Sequence, residues 1–419
     1  MPPKTTMTLN FLGDVMLGRM IDYFLPPPNN QPNPNTKTDP DPSTGKTVTN
    51  FIRHYPTLLK SYNAKTPWGT TLPLLHSSDL NLANLETAVT TCSTAWPEKM
   101  FNYRVHPGNA VMALQAARID YVSLANNHTL DFGEDGLEET VKVLESTSTS
   151  TGDDDWNGVK YAGAGVDKIG PRNGPTVLTL PKTSGHEQQQ YKIHVYSASD
   201  HPNDWGRLSS SRYFFHLIDY SSKTRQYLKT ILNNNNNNKD NKPALKIFSI
   251  HWGPNYSWQP DQGTIRKLAH FLVDECGVDI VHGHSAHHVQ GVEVRKVITS
   301  DTYTKEKKEK KSLIIYGCGD FVDDYAVNRE FRNDLGAIWR VSVRERHEEA
   351  VDGLELDKLE IFPTRNRLFQ TFLLDRYDED HEWVRNTVSK LSEELGSVVK
   401  KNDQGLELGE EGQIVIELH

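Results

Sequence analysis

The sequence predicts an α/β fold, and two observations point to it. Short buried-type strands alternate with helices, and strand after strand ends in a metal-type or glycine-rich tripeptide. Met7 to Leu12 reads as a strand that stops at Gly13-Asp14. Asp79 to Leu85 alternates and ends in polar residues. Residues His106 to Arg118 contain a helix feeding the strand Tyr121 to Leu124, which ends in Asn126-Asn127-His128. Leu245 to Ile250 is a buried-type strand ending in His251. Thr264 to Cys276 is an amphipathic helix, and Val278 to Val281 is a strand ending in His282-Gly283-His284. Leu313 to Tyr316 runs into Gly317-Cys318-Gly319-Asp320. Further on, Gly336 to Val343 and Leu354 to Phe362 read as antiparallel strands. Asp380 to Leu395 carries Trp383, Val384, Val388, Leu391 and Leu395 at helical spacing, and Ile414 to Leu418 closes with a strand. Sites in open α/β sheets lie at the carboxyl ends of strands, so one shared site is the economical explanation.

At 419 residues the chain is roughly two to three times a typical domain length, but large α/β domains absorb insertions without splitting. Four segments read as surface loops on a compact body: 26–47, 146–158, 233–241 with its asparagine run, and 301–312, which holds the lysine-rich Thr304 to Lys311. The expectation is one large domain over 1–365 and a helix-and-strand appendage over 366–419 packed on it. With 46 basic residues against 55 acidic ones, a net charge of −9 argues against a general nucleic-acid binder. The mean hydropathy of −0.62 fits a well-solvated chain. A membrane span needs about 18 consecutive apolar residues, and the sequence has no such stretch. The N-terminus shows no secretory segment, and 3 cysteines give neither a disulfide framework nor a paired zinc motif. A soluble, cytoplasmic protein is expected.

Histidine is the informative residue, with 17 in the chain and several clustered. Asp14, Glu86, Asn127, His128, His251, His284 and His287 all follow expected strands. Carboxylate, amide and imidazole together suit a divalent ion such as Mn, Zn, Fe or Mg, and the lack of cysteine pairs argues against a structural zinc knot. Asn102, Arg104 and His106 alternate, so they can share one strand face and, with Arg19, bind an anionic group. Trp252, Asn255 and Tyr256 follow His251 closely and read as a pocket wall.

The stretches FLGDVMLGR (Phe11 to Arg19), ANLET (Ala83 to Thr87), LANNHTLDFG (Leu124 to Gly133), HWGPNY (His251 to Tyr256), HGHSAHHVQGVE (His282 to Glu293) and YGCGDF (Tyr316 to Phe321) resemble the CapA, or poly-γ-glutamate capsule synthesis, family. That family belongs with the calcineurin-like metallophosphoesterases. The resemblance implies a four-layer αββα sandwich with two central mixed sheets and a site holding one or two divalent ions. It makes Asp14 the first aspartate of the DxH motif, with Met16 where the histidine would be. Glu86 falls at the bridging carboxylate, Asn127-His128 at the GNH element, and His251 at the lone histidine. His284 and His287 stand for the histidines of GHxH, with His282 and His288 as alternatives. By the same resemblance His128 is the general acid, or a transition-state donor, and Asp131 holds its other nitrogen. The expected activity is metal-dependent hydrolysis of a small or oligomeric anionic substrate, a phosphate ester or a γ-glutamyl or peptide amide. The alternative is a non-hydrolytic metal-binding accessory protein in poly-γ-glutamate synthesis or handling.

Overall fold

The computed structural model describes residues 6–26, 33, 42–148, 156–166, 174–181, 190–207, 213–234, 242–300, 307–346, 353–397, 401–402 and 405–418. Much of the four expected insertions, including 27–32, 34–41, 149–155, 235–241 and 301–306, lies outside these residues. Two boundaries differ from expectation. Pro42–His54 is a helix, so the first insertion ends earlier than residue 47. Lys307 to Lys311, expected as loop, begins the strand Lys307–Ile315. There Lys310 and Lys311 pair with Val297 and Lys296, in a stretch that runs beyond the residues 313–315 paired with Ile280–His284 on the other side.

Two mixed sheets form the body. In the first, Thr6–Val15 lies at the centre, parallel to Leu80–Leu85, which is followed outward by Tyr121–Ser123 and Lys160–Ala162. On its other side Leu335–Glu345, Leu354–Arg367 and Gln370–Leu373 continue antiparallel. The short strand Asp320–Val322 pairs with the end of Thr6–Val15, and Ile414–Glu417 pairs with Leu354–Arg367. The second sheet runs Val292–Ser300, Lys307–Ile315, Ile280–His284, Leu245–His251, Gln190–Ser199, Thr176–Pro181. Its four inner strands are parallel and its two edges antiparallel.

Period-two alternation explains how the sheets stack. In Leu245–His251, Leu245 and Ile247 join Leu9, Phe11, Leu82 and Trp339 of the first sheet in the core between the sheets. Phe248 and Ile250 face the opposite way, against Leu268 and Leu272 of the helix Ile265–Asp274 and Leu228 and Leu232 of Ser222–Asn233. The outer face of the first sheet packs Val122 and Ile338 against Ala113 of Pro107–Ala116 and Leu137 and Val141 of Gly133–Thr147. Polar residues that alternation sends inward tie the sheets together: Tyr121 Oη lies 2.5 Å from Ser197 Oγ, and His282 Nε2 lies 2.8 Å from the Leu12 carbonyl oxygen. No helix among the described residues is long and apolar enough to cross a membrane.

Candidate metal centre

The carboxyl ends of parallel strands from both sheets bring the chemistry-bearing residues together. Asp14 closes Thr6–Val15, Glu86 follows Leu80–Leu85, and His251 and His284 are paired last residues of neighbouring parallel strands. Asp320 lies beside Asp14 in parallel register. Glycine makes that approach possible, since a Cβ on Gly13 would sit 1.7 Å from the Gly319 carbonyl oxygen. Beyond His284 the chain leaves extended geometry: Ser285 has φ 102° and His287 φ 62°, both in the left-handed region. This turn aims Ser285 N–H at Asp14 Oδ2 (3.3 Å) and brings His287 Nδ1 to 2.8 Å from Asp320 Oδ1 and 3.5 Å from Asp14 Oδ2.

Two ligand-type groups share Asp14. The first is Asp14, His251 and His284; the second is Asp14, Glu86, His287 and Asp320. Within each group, one donor atom per residue lies within 4.8 Å of the others. His251 Nδ1 and His284 Nδ1 face each other at 2.9 Å, and Ser249 Oγ holds the other nitrogen of His284 at 3.1 Å. Asn84 donates to Asp14 Oδ1 at 2.7 Å. Glu86 Oε1, Asp320 Oδ2 and Asn127 Oδ1 are buried without a hydrogen-bond partner among the described residues. Buried polar atoms are almost always paired, so the orphaned Glu86 and Asp320 oxygens within these ligand groups fit a divalent cation.

The electrostatics agree. Burial raises the carboxyls of Asp14, Glu86 and Asp320 above their ordinary range; at Glu86 the Asp14 and Asp320 charges add to it. His251 and His284 are held well below the usual imidazole range by burial, then by neighbouring histidines, which leaves their nitrogens free to ligate. Burial would lower His287 too, but the charges of Asp320, Glu86 and Asp14 outweigh it and raise it.

Beside the cluster, His128 Nδ1 donates to Asp131 Oδ2 at 2.6 Å, and its Nε2 is 3.9 Å from Glu86 Oε1. Burial pushes His128 down to about 4 against the pull of Asp131. Its ring stacks on Tyr103 at 4.1 Å. Lys99, absent from the sequence-based site, donates to Asp131 Oδ1 and the Asn127 carbonyl and lies 3.2 Å from His128 Nδ1. His201 was missed as well. Its Nδ1 bonds Asp200, which also accepts from Tyr220 Oη (2.5 Å) and Gly253 N–H (2.9 Å), and its ring lies 4.9 Å from that of His251. The strand-end signal that marked the other residues was present here too, in Ser199-Asp200-His201.

The remaining expected residues divide. Arg19 stacks over Tyr103 at 5.6 Å and pairs with Asp324 at 3.3 Å, which puts it at the rim near His128. Tyr256 lies 6.0 Å from His287, ring to ring, whereas Asn255 is exposed beside the open depression lined by His201 and Asp261. Asn102 donates to the Lys99 carbonyl at 3.2 Å. Arg104 is turned to the Cys92 carbonyl and the Phe132 ring, and His106 caps Pro107–Ala116 by accepting from Gly108 N–H at 3.1 Å. The strand there covers only Arg104–Val105, so the shared face expected for 102, 104 and 106 is not formed. Trp252 belongs to the core behind the second sheet and donates to the Tyr316 carbonyl at 2.9 Å. His282 is taken up by Leu12, and His288 packs against Trp258 and Phe331. Met16 is fully buried, with its sulfur accepting from Gly18 N–H at 3.2 Å.

Comparison with known proteins places this centre in a family. Residues 8–325 match the bacterial capsule synthesis protein PGA_cap family. A probable polyglutamine synthesis accessory protein of Mycobacterium tuberculosis H37Rv is 31% identical over 426 aligned residues, covering 97% of this chain and 96% of its own. The same protein of strain CDC 1551 matches equally. The Bacillus anthracis capsule biosynthesis protein CapA is 25% identical over 292 residues, covering 66% of this chain and 58% of its own. A match through both ligand groups, with a relative aligned nearly end to end, makes this chain a member of the bacterial capsule synthesis protein PGA_cap family.

Proposed function

We propose that this chain is a metal-dependent hydrolase acting on an anionic substrate, either a phosphate ester or a γ-glutamyl or peptide amide. The observation that carries the reading is the sharing of Asp14 by two ligand groups whose buried oxygens include Glu86 Oε1 and Asp320 Oδ2, both without hydrogen-bond partners among the described residues. Helices outside each of the two stacked sheets support the four-layer αββα sandwich of the calcineurin-like metallophosphoesterases, to which residues 366–419 contribute the sheet strands Gln370–Leu373 and Ile414–Glu417 as well as a helix. Divalent ions at such a centre supply Lewis acidity toward an anionic oxygen and acidify water. His128 has its Nδ1–H committed to Asp131, so Nε2 is the atom that takes up and passes a proton toward the leaving group. Asp131 and Lys99 hold that imidazole in place, and Arg19 with Tyr103 orients an anionic group at the rim.

The test is elemental analysis of protein purified without chelator, followed by a screen of phosphoesters and γ-glutamyl amides with Mn, Zn, Fe and Mg. Stoichiometric metal and turnover are expected; protein with no stoichiometric divalent ion would overturn the reading. The mycobacterial relative's name, polyglutamine synthesis accessory protein, favours a second reading. In it the chain binds metal and a polymer precursor without cleaving a bond, and full metal occupancy with no turnover across the screen would select it.

A further inference from the structure

We propose that the two halves of the centre select different ions, and that Asp320 supplies the donor lost where methionine replaces histidine at Met16. The inference rests on the metal-dependent reading above. The half built on Asp14, His251 and His284 offers two imidazoles and one carboxylate. The half built on Asp14, Glu86, Asp320 and His287 offers three carboxylates and one imidazole. Imidazole suits borderline ions such as Zn²⁺ and Fe²⁺, whereas carboxylate-rich sets suit harder ions such as Mn²⁺ and Mg²⁺.

Three features carry this assignment. Met16 is occupied elsewhere, since its sulfur accepts from Gly18 N–H at 3.2 Å. Asp320 is 2% exposed and packed beside Asp14, yet its Oδ2 has no hydrogen-bond partner among the described residues. Glu86, also fully buried, belongs to the same group, and its unpartnered Oε1 lies 4.0 Å from His251 Nε2. On the other side, Ser249 Oγ holds His284 Nε2 at 3.1 Å while His284 Nδ1 lies 3.8 Å from Asp14, the outer-partner arrangement of a ligating histidine. Asp14 is common to both halves, and Glu86 reaches toward His251 from the second.

The experiment loads metal-stripped full-length protein with two equivalents each of Zn²⁺ and Mn²⁺. Bound metal is read by elemental analysis after desalting, Mn²⁺ by its EPR signal, and each affinity by titration calorimetry. Wild type is expected to retain one zinc and one manganese. Asp320→Asn should keep its zinc affinity within about threefold and weaken manganese by about tenfold or more, with Asp320→Glu restoring it. His251→Ala should do the reverse, and Asp14→Asn should lose both ions. Melting curves in chelator check that each variant is folded. Asp320→Asn losing both ions or neither, or a wild type that takes two zincs in preference to the mixed pair, would overturn the division while leaving the hydrolase reading standing. A wild type that holds no ion of either kind would overturn both.

Discussion

Glu86→Gln separates the charge of the centre from its shape. Glu86 is fully buried, and its donor atom lies within 4.8 Å of those of Asp14 and Asp320. Two unit charges at that distance in an effective dielectric of about 20 repel by about 3.5 kcal/mol, so two such neighbours cost about 7 kcal/mol. His287, within the same distance, returns about half of that. Proton uptake by the raised carboxyl relieves part of the rest, which leaves about 1–3 kcal/mol for the amide to recover in chelator-treated protein. The sign with pH follows. A carboxyl raised in the fold favours the native state at low pH and loses that contribution as pH rises, so the advantage of Gln should widen as pH climbs above the ordinary carboxyl range. With metal the order changes, because wild type gains about 2.7 kcal/mol at a hundred times Kd and the variant loses a ligand. Melting in EDTA and in excess Mn²⁺ reads both effects: the variant should melt a few degrees above wild type in EDTA and shift far less with metal. A variant that melts below wild type in EDTA and keeps the full metal shift would refute the reasoning.

His128→Asn should lower kcat by roughly 10²–10⁴ with metal content intact, since His128 lies outside both ligand groups; loss of metal in the variant would make it a ligand instead. His194 is fully buried with both ring nitrogens unpartnered among the described residues, and burial lowers it to about 4. A depressed imidazole contributes stability above its ordinary pKa and loses it as pH falls toward the folded value. His194→Phe should therefore flatten the acid side of the stability profile by up to about 3 kcal/mol in urea melts, and an unchanged profile would count against it. Gly13→Ala would drive a methyl group onto the Gly319 carbonyl, so about 1–3 kcal/mol of stability and the bound metal should be lost together. A metal-replete variant of wild-type stability would show that the contact relaxes freely.

The strands of the parallel core were legible because each carries a dense apolar run closed by glycine, asparagine or histidine. Leu245–His251 and Ile280–His284 differ from expectation mainly in including their terminal histidines. Gln190–Ser199 went unrecognised for the opposite reason. Its inward positions include Ser197 and Ser199, so its alternation is softened by polar residues that serve the neighbourhood of the site. Trp252 was open to a better reading. Phe248 and Ile250 already set the outward parity of that strand, and Trp252 continues it into the core behind the sheet. His106 also carried a local signal, since a residue directly before Pro107 is a natural N-cap.

The histidine run shows where local reasoning stops. Alternation sends Ile280, His282 and His284 inward together, but Ser285 and His287 take left-handed backbone angles, and from there spacing no longer reports direction. Only the folded chain separates His284 and His287, which reach Asp14, from His282, which reaches Leu12, and His288, which packs on aromatic rings. Asp320 makes the point more sharply. In the sequence it ends the strand-terminal run Gly317-Cys318-Gly319-Asp320, which marks the neighbourhood of a site but not a ligand. It becomes a candidate ligand because Gly13 and Gly319 let two strands far apart in sequence set Asp14 and Asp320 side by side. The loss at Met16 and the compensation at Asp320 are therefore linked through a backbone contact, and only a pair of glycines at that contact allows it.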